Sequence, residues 1–462
     1  MRVMKRISAR LRDARLKAGF AKASLACALN CIALVAPSFA NDESKGSRPN
    51  IIWIMADDLG YGDLGCHGCK DIPTPHIDNM AMKGVKCSNF YAAAPVCTPS
   101  RASILSGRYP EAIGMAAVLM GRGGMASEVV TIAEVLKNSG YATGLIGKWH
   151  LGYGGESLPN AQGFDEFYGH RGGKIDFFKH TDDSQKVVGN PMGKHDFYEN
   201  NKEIFPEGYS TALYTRRAIQ FVESHRQQPF FLFVSYDAPH YARKGVLQAP
   251  QSHVSKFTKN KDKPTMRELY ASMVNCLDDG IGELLACIDK NGMEANTFVM
   301  FVSDNGADPK HGGSNTPLSG GKWTTKEGGI RVPMIAKWPS RIPAGSTSTE
   351  ILHMIDLFPT MLSVAGISKP QQLTLDGCDV MECLMGKSTI AERPLFFGKN
   401  TIRKGKWKVV DSKLHDLEKD TGENHDLSAE YPEVLKELKS LGERQLDPRH
   451  RFSQSFKRDD ER

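Results

Sequence analysis

Val96-Cys97-Thr98-Pro99-Ser100-Arg101, continued by Ala102-Ser103-Ile104-Leu105-Ser106-Gly107-Arg108, joins one thiol to the start of a helix. Thr98 is a residue type that caps helices, and Pro99 suits the first helical position, where its missing N–H is not needed. The free N–H groups and positive dipole end of a helix start attract anions. The reading places Cys97 where an anionic group would bind, with Arg101 one turn on and able to reach it. A lone cysteine beside a proline is more often a buried thiol, and a lone arginine a surface cation. The rest of the chain decides between the two.

Outward from this run, short apolar segments at Asn50–Ala56, 141–146, 229–235, Thr297–Ser303 and 332–337 read as buried strands. Amphipathic stretches at 131–138, 211–224, 266–288 and 354–365 read as helices. Strands alternating with helices predict an α/β fold with a large, mostly parallel sheet covered on both faces. The texture changes near residue 370. Short strands at 394–397 and 406–410, then a helix over 432–444, predict a small C-terminal α+β domain, 371–462, after a larger domain, 41–370. Its last residues, 447–462, are dense in charge and read as a frayed end. Segment 154–207 is rich in Gly, His, Asp and Lys, without periodicity, and reads as loops around a substrate mouth.

Asp57 and Asp58 end the first strand; Asp304 and Asn305 end another. Ligands of open α/β sheets gather beyond the carboxyl ends of strands. Gly60 and Gly306 follow closely and permit the chain to turn out of the sheet. Three carboxylates and an amide form an all-oxygen set that suits Ca²⁺ or Mg²⁺ better than zinc. Either pair alone is more often a turn or a cap. Lys148 and His150, in Gly147-Lys148-Trp149-His150, lie two apart and face one way in extended chain. Pro239-His240 follows the strand at 229–235, and Gly320-Gly321-Lys322 precedes Glu327-Gly328-Gly329-Ile330-Arg331-Val332-Pro333.

The order Asp-Asp, Cys-x-Pro-Ser-Arg, Gly-Lys-Trp-His, Pro-His, Asp-Asn-Gly, Gly-Lys resembles the type I sulfatases, the formylglycine-dependent branch of the alkaline phosphatase superfamily. Within that family it looks closest to the arylsulfatase and N-acetylgalactosamine-6-sulfatase types. The resemblance runs from about residue 49 to about residue 427. Ser106 stands where Thr is commoner, and Trp323 follows Lys322 where a small residue is frequent, so Trp323 is a candidate for shaping the mouth. The resemblance implies an alkaline phosphatase-like sheet and a short antiparallel C-terminal sheet with a helix. It implies that a maturing enzyme oxidises Cys97 to formylglycine, whose hydrate attacks the sulfate ester. It implies one cation, usually calcium, at Asp57, Asp58, Asp304, Asn305 and residue 97. Asp304 then serves as base, and Arg101, Lys148 and Lys322 hold the sulfate. His240, with Lys322, protonates the leaving alcohol, and His150 helps expel sulfate. Lys148, His240 and Lys322 line the substrate; His311 is a further substrate-binding candidate, since the basic loops near Lys174, His180, His195 and His311 either meet further anionic groups or are solvated surface.

The formal charge of +6 misleads. Residues 1–40 hold eight of the 59 Lys and Arg and one of the 53 Asp and Glu, leaving 51 basic against 52 acidic, formally −1. General nucleic-acid affinity has no support. Residues 1–40 read as an export signal: a basic start to Lys22, a small apolar stretch to Pro37, then Ser38-Phe39-Ala40. The apolar part is too short to span a bilayer, so the reading is an exported, periplasmic or secreted protein rather than an integral membrane one. Eight of the ten cysteines follow residue 40, an even set that invites disulfides in an exported chain; conversion of Cys97 would leave one unpaired. Sulfated carbohydrates, with aryl sulfates as model substrates, are the expected substrates. The alternatives are a phosphonate or phosphodiester hydrolase of the same superfamily, and a silent sulfated-glycan binder.

Overall fold

A computed structural model describes residues 48–445, apart from 122, 183–193, 243–244, 259, 261–262 and 399. The proposed export segment and the charged C-terminal end lie outside the described residues. In chain order the strands are β1 (Asn50–Ala56), β2 (Val85–Tyr91), β3 (Ala142–Lys148), β4 (Glu166–His170), β5 (Thr181–Asp182) and β6 (Lys194–His195). There follow β7 (Tyr198–Glu199), β8 (Lys202–Glu203), β9 (Phe230–Ser235), β10 (Thr297–Ser303), β11 (Met334–Lys337) and β12 (Ser346–His353). The last four are β13 (Pro394–Phe396), β14 (Ile402–Lys404), β15 (Trp407–Val410) and β16 (Lys413–Asp416). Ten of these form one sheet in the order β12-β2-β11-β10-β1-β9-β3-β4-β7-β8. Its centre, β10-β1-β9-β3-β4, is parallel throughout; β11 runs antiparallel between β10 and β2.

The sequence of β1 explains its place. All seven residues are buried. Alternation sends Ile51, Trp53 and Met55 into one core layer with Phe231, Phe233 and Met300. Ile52, Ile54 and Ala56 go into the other, with Leu232, Val234 and Phe301. A strand covered on both faces needs an unbroken apolar run, and β1, β9 and β10 all have one. Trp53 packs edge-on against Phe231 and Phe233, with centroids 5.1 and 5.8 Å away. The helices Ile132–Asn138 and Met266–Lys290 both start on reciprocal capping boxes, Thr131 with Glu134 and Thr265 with Glu268, which satisfy otherwise orphaned N–H groups.

Five strands of the large sheet, β2, β4, β7, β8 and β12, escape the apolar-run criterion. β2 and β12 mix polar residues among apolar ones at one margin, and β4, β7 and β8 lie toward the other. Margins are half-covered, so their sequences lack a continuous apolar run.

The C-terminal strands form a four-stranded antiparallel sheet, β13-β14-β15-β16. Ile402, Val409 and Leu414 on one face pack with Leu438 of the helix Pro432–Gln445. Segment 373–385 still contributes Leu373, Val380, Met381, Cys383 and Leu384 to the core of the large sheet.

Candidate active site

The site lies beyond the carboxyl ends of β1, β3, β9 and β10. Ala56 pairs with Ser303, and Met55 and Gly147 each pair with Ser235, so the residues that follow these strands emerge side by side. The chain turns immediately: Asp58 has φ +64°, and its N–H donates to Asp304 Oδ1 at 3.2 Å. The Asp304 N–H donates to Ala56 O, and the Asp57 N–H to Ala238 O, both at 3.1 Å. Two glycines permit the crowding. A Cβ on Gly147, at φ +110°, would lie 1.9 Å from Ser235 O, and one on Gly306 would lie 1.8 Å from Gly328 O.

Cys97 begins a helix, Cys97–Ser106, in which every residue is buried. The helix starts two residues earlier than a Thr98 cap would place it. Val96 is the N-cap, without a side-chain bond, and Pro99 is the third helical residue. Thr98 instead donates to His150 O at 3.3 Å and accepts from Leu119 N–H at 3.2 Å, tying the helix start to the loop after β3. Ser100 staples the preceding loop, donating to Ala94 O at 3.0 Å.

Cation and carboxylate pairs surround this helix start. Lys148 Nζ lies 2.5 Å from Asp57 Oδ2, and Lys322 Nζ 2.7 Å from Asp58 Oδ2. Arg101 donates through Nε to Asp304 Oδ2 at 2.9 Å, and one terminal nitrogen forms an ion pair with the same oxygen at 2.9 Å. Its other terminal nitrogen reaches Ser235 Oγ at 2.5 Å and Lys148 O at 3.2 Å. Asn305 Nδ2 donates to Asp58 Oδ1 at 2.7 Å. All are buried, the three carboxylates at 3% exposure or less, where fixed charges act at low dielectric.

Burial pushes the Cys97 thiol above its ordinary range, with Lys148 and Lys322 pulling the other way and Asp57 and Asp304 adding to the rise. A thiol held protonated is a poor nucleophile. Burial, with Asp57 beside it, raises Asp304 to about 6, against Arg101 and the two lysines. His150 and His240 are pushed well below the ordinary imidazole range, first by burial and then by the neighbouring lysines. Both therefore rest neutral. His240 Nδ1 is 2.7 Å from Tyr241 O, which makes Nδ1 the donor and leaves Nε2 as an acceptor, 3.5 Å from Asp58 Oδ2. His150 Nε2 is 3.1 Å from Leu119 O, leaving a buried Nδ1 without a partner.

The residues present fit an oxygen-ligated divalent cation. Asp57 Oδ1 and Asn305 Oδ1 are buried without hydrogen-bond partners, which is costly unless something else satisfies them. Asp57, Asp58 and His240 have donor atoms within 4.8 Å of one another. His240 thus joins a group that the sequence reading assigned to oxygen ligands alone. Three carboxylates face Arg101, Lys148 and Lys322, so the side-chain charges sum to zero. A divalent cation would bring an excess of two positive charges, suited to a sulfate or phosphate group.

His311 stands apart from the carboxylates. Its Nδ1 is 3.1 Å from Asp308 Oδ2, and its ring stacks on Tyr241 at 4.3 Å. Tyr241 in turn stacks on His240 at 4.2 Å. Lys322 Nζ lies 5.6 Å from the Tyr241 centroid and 5.7 Å from Trp323, and Lys174 Nζ lies 5.7 Å from Tyr241. Trp323 is 60% exposed, so this aromatic and basic cluster forms a rim above the buried charges. His180 and His195 sit elsewhere: their rings are 6.4 Å apart, one against Phe197 and the other stacked on Phe205. The sequence reading missed Ser235 and Tyr241. Ser235 could have been found as a polar residue closing an apolar strand; Tyr241 carries no signal besides its adjacency to His240.

Comparison with known proteins agrees with this geometry. The family model described as Sulfatase matches residues 49–367. N-acetylgalactosamine-6-sulfatase of Mus musculus is 35% identical over 376 residues, covering 76% of this chain and 68% of that protein. Arylsulfatase A of Homo sapiens is 34% identical over 453 residues, covering 85% and 87%. The crystal structure of Ps i-CgsB in complex with k-i-k-neocarrahexaose superposes with a TM-score of 0.80 at 35% identity, covering 86% of this chain and 93% of that one.

Proposed function

The chain belongs to the sulfatase family and hydrolyses sulfate monoesters; from that premise we propose that residue 97, matured from cysteine to formylglycine, is its nucleophile. The observation that carries the reading is the placement of Cys97 at a buried helix start, ringed by Lys148–Asp57, Lys322–Asp58 and Arg101–Asp304. The same burial that keeps its thiol protonated makes an unconverted cysteine unsuited to attack.

Asp57, Asp58, Asp304 and Asn305 hold the divalent cation, calcium by the family's habit. When bound, the cation supplies Lewis-acid polarisation, and the formylglycine hydrate supplies an oxygen nucleophile whose second hydroxyl permits regeneration. The chain's own residues do the rest. Arg101, Lys148 and Lys322 neutralise and orient the sulfate oxygens, where preorganised charge contributes most. Asp304 receives the proton that residue 97 gives up. Lys322, kept protonated by Asp58, and His240 stand at the leaving-group side and return a proton to the departing alcohol. His240 rests neutral, so it takes up its proton only as the anion arrives. His150, neutral with a free buried Nδ1, accepts a proton in the step that releases sulfate.

Tyr241, His311 and Trp323 receive the alcohol part of the substrate, and the aromatic faces beside Lys174 and Lys322 suit a sugar carrying negative charge. The reading extends to an exported enzyme that depends on a maturing partner and acts on sulfated carbohydrate. Among the described residues no helix is long and apolar enough to cross a membrane. Purified protein, assayed in parallel on an aryl sulfate and an aryl phosphonate with added Ca²⁺, tests the reaction. Sulfate release that a chelator abolishes and calcium restores supports the reading; preferential phosphonate cleavage overturns it.

A further inference from the structure

The small C-terminal sheet has two unlike faces. One is apolar and lies under the helix Pro432–Gln445. On the other, register aligns Arg403 with Lys408 and Lys408 with His415, and all three are buried. A row of basic residues buried on a sheet face is costly unless paired. Arg403 and Lys408 both pair with Glu327, at the end of the loop that carries Lys322. Lys408 Nζ is fully buried and lies 2.8 Å from Glu327 Oε1 and 2.8 Å from Glu423 Oε1. Tyr91 OH donates to Glu327 Oε2 at 2.6 Å.

Glu423 does more than balance charge. Its Oε2 accepts the Glu327 N–H at 2.8 Å and the Ser319 hydroxyl at 2.9 Å. Ser319 and Glu327 are the two ends of the loop, which Gly328 N–H also closes onto Ser319 O at 2.7 Å. One carboxylate oxygen from the C-terminal region thus grips both ends of the loop whose middle bears Lys322. The loop needs such a grip. Trp323, next to Lys322, sits at φ +74°, and Glu423 itself at φ +53°, conformations that non-glycine residues hold only where the surroundings enforce them. Lys322 has one backbone bond of its own, N–H to Ala307 O at 3.0 Å, and its ammonium must reach Asp58.

We propose that Glu423, set in place by Lys408, is a positioning residue for Lys322, so that the C-terminal sheet tunes the reaction by closing the Ser319–Gly328 loop. The proposal rests on the role given above to Lys322 at the leaving-group side.

Three variants and two readouts test it. Glu423→Ala removes both acceptors, Glu423→Gln keeps an acceptor for the loop, and Ser319→Ala removes one donor from a half-buried position. Hydrogen exchange should rise in 319–328 for Glu423→Ala while 297–303 in β10 stays protected, with Glu423→Gln close to wild type. On sulfate esters, Glu423→Ala should lose roughly tenfold in kcat/KM, the scale of one charge-assisted hydrogen bond. The loss should be larger for an alkyl than for an activated aryl ester, and Ser319→Ala should show the same pattern more weakly. Unchanged exchange in 319–328 overturns the proposal. So does exchange rising equally in 297–303, or equal loss on both esters, because either marks a merely structural role. If Glu423→Ala does not fold, Ser319→Ala carries the same tests. If the wild type cleaves neither ester, the proposed function fails, and exchange in 319–328 still decides whether Glu423 holds the loop.

Discussion

The buried floor of the site and its rim are built on different principles. The floor consists of Asp57, Asp58, Arg101, Lys148 and Asp304, on strand ends and one enclosed helix, each at 3% exposure or less. The rim consists of Tyr241, His311 and Trp323, on loops, joined by ring stacking and long cation contacts. Floor residues have partners within 3 Å and leave little room for substitution. Rim residues have larger separations and exposed faces. Under the proposed function, the chemistry lies in the floor, and selectivity among sulfate esters lies in the rim.

The comparison breaks most sharply at residue 97. Cys97→Ala should leave the fold intact and lower kcat/KM on an aryl sulfate by about a thousandfold or more. Steady-state assay of the purified variant checks this; retention of a tenth of wild-type activity would remove residue 97 from the mechanism. Next comes Lys148→Met, which leaves Asp57 without its nearest cation. Turnover should fall about a hundredfold. Stability should drop by about 3 kcal/mol, since breaking a buried pair strands a charge. Urea unfolding measures the second effect, and a loss under about 1 kcal/mol would mean that the pair is less enclosed than its geometry indicates.

Acid should weaken the buried region through histidines outside the reaction. His170 and His353 are held well below the ordinary imidazole range by burial. Their folded affinity for protons is lowered, so their contribution to stability is complete above about pH 6.5 and is lost as pH falls below it. The slope is at most about 1.4 kcal/mol per pH unit for each. Urea midpoints at descending pH should fall through this window; a flat profile would contradict neutral burial. The smallest effect belongs to the rim. Trp323→Ala should raise KM for a sulfated sugar roughly fivefold and leave hydrolysis of a small alkyl sulfate unchanged. Equal changes on both would merge rim and floor.

This division also accounts for what the sequence reveals. Asp57, Asp58, Asp304 and Asn305 are legible because they interrupt apolar runs at strand ends, and Cys97 because of the run around it. β1, β9 and β10 are legible because burial on both faces demands unbroken apolar segments. β2 and β12 are not, since a margin strand mixes polar residues into its pattern. Tyr241 and Glu423 are invisible for a different reason. Each acts on something distant in the chain: Tyr241 stacks on His311, and Glu423 binds Ser319 and Glu327. Only the folded chain brings them together. Pro99 shows the limit of local rules, because the helix begins at Cys97 and Thr98 bonds across to the loop after β3.

The most direct test of the nucleophile is the mass of the peptide containing residue 97, from protein purified from its native host. The account predicts a peptide that has exchanged its thiol for an aldehyde or the hydrate. An intact cysteine in protein that releases sulfate at full rate would contradict it.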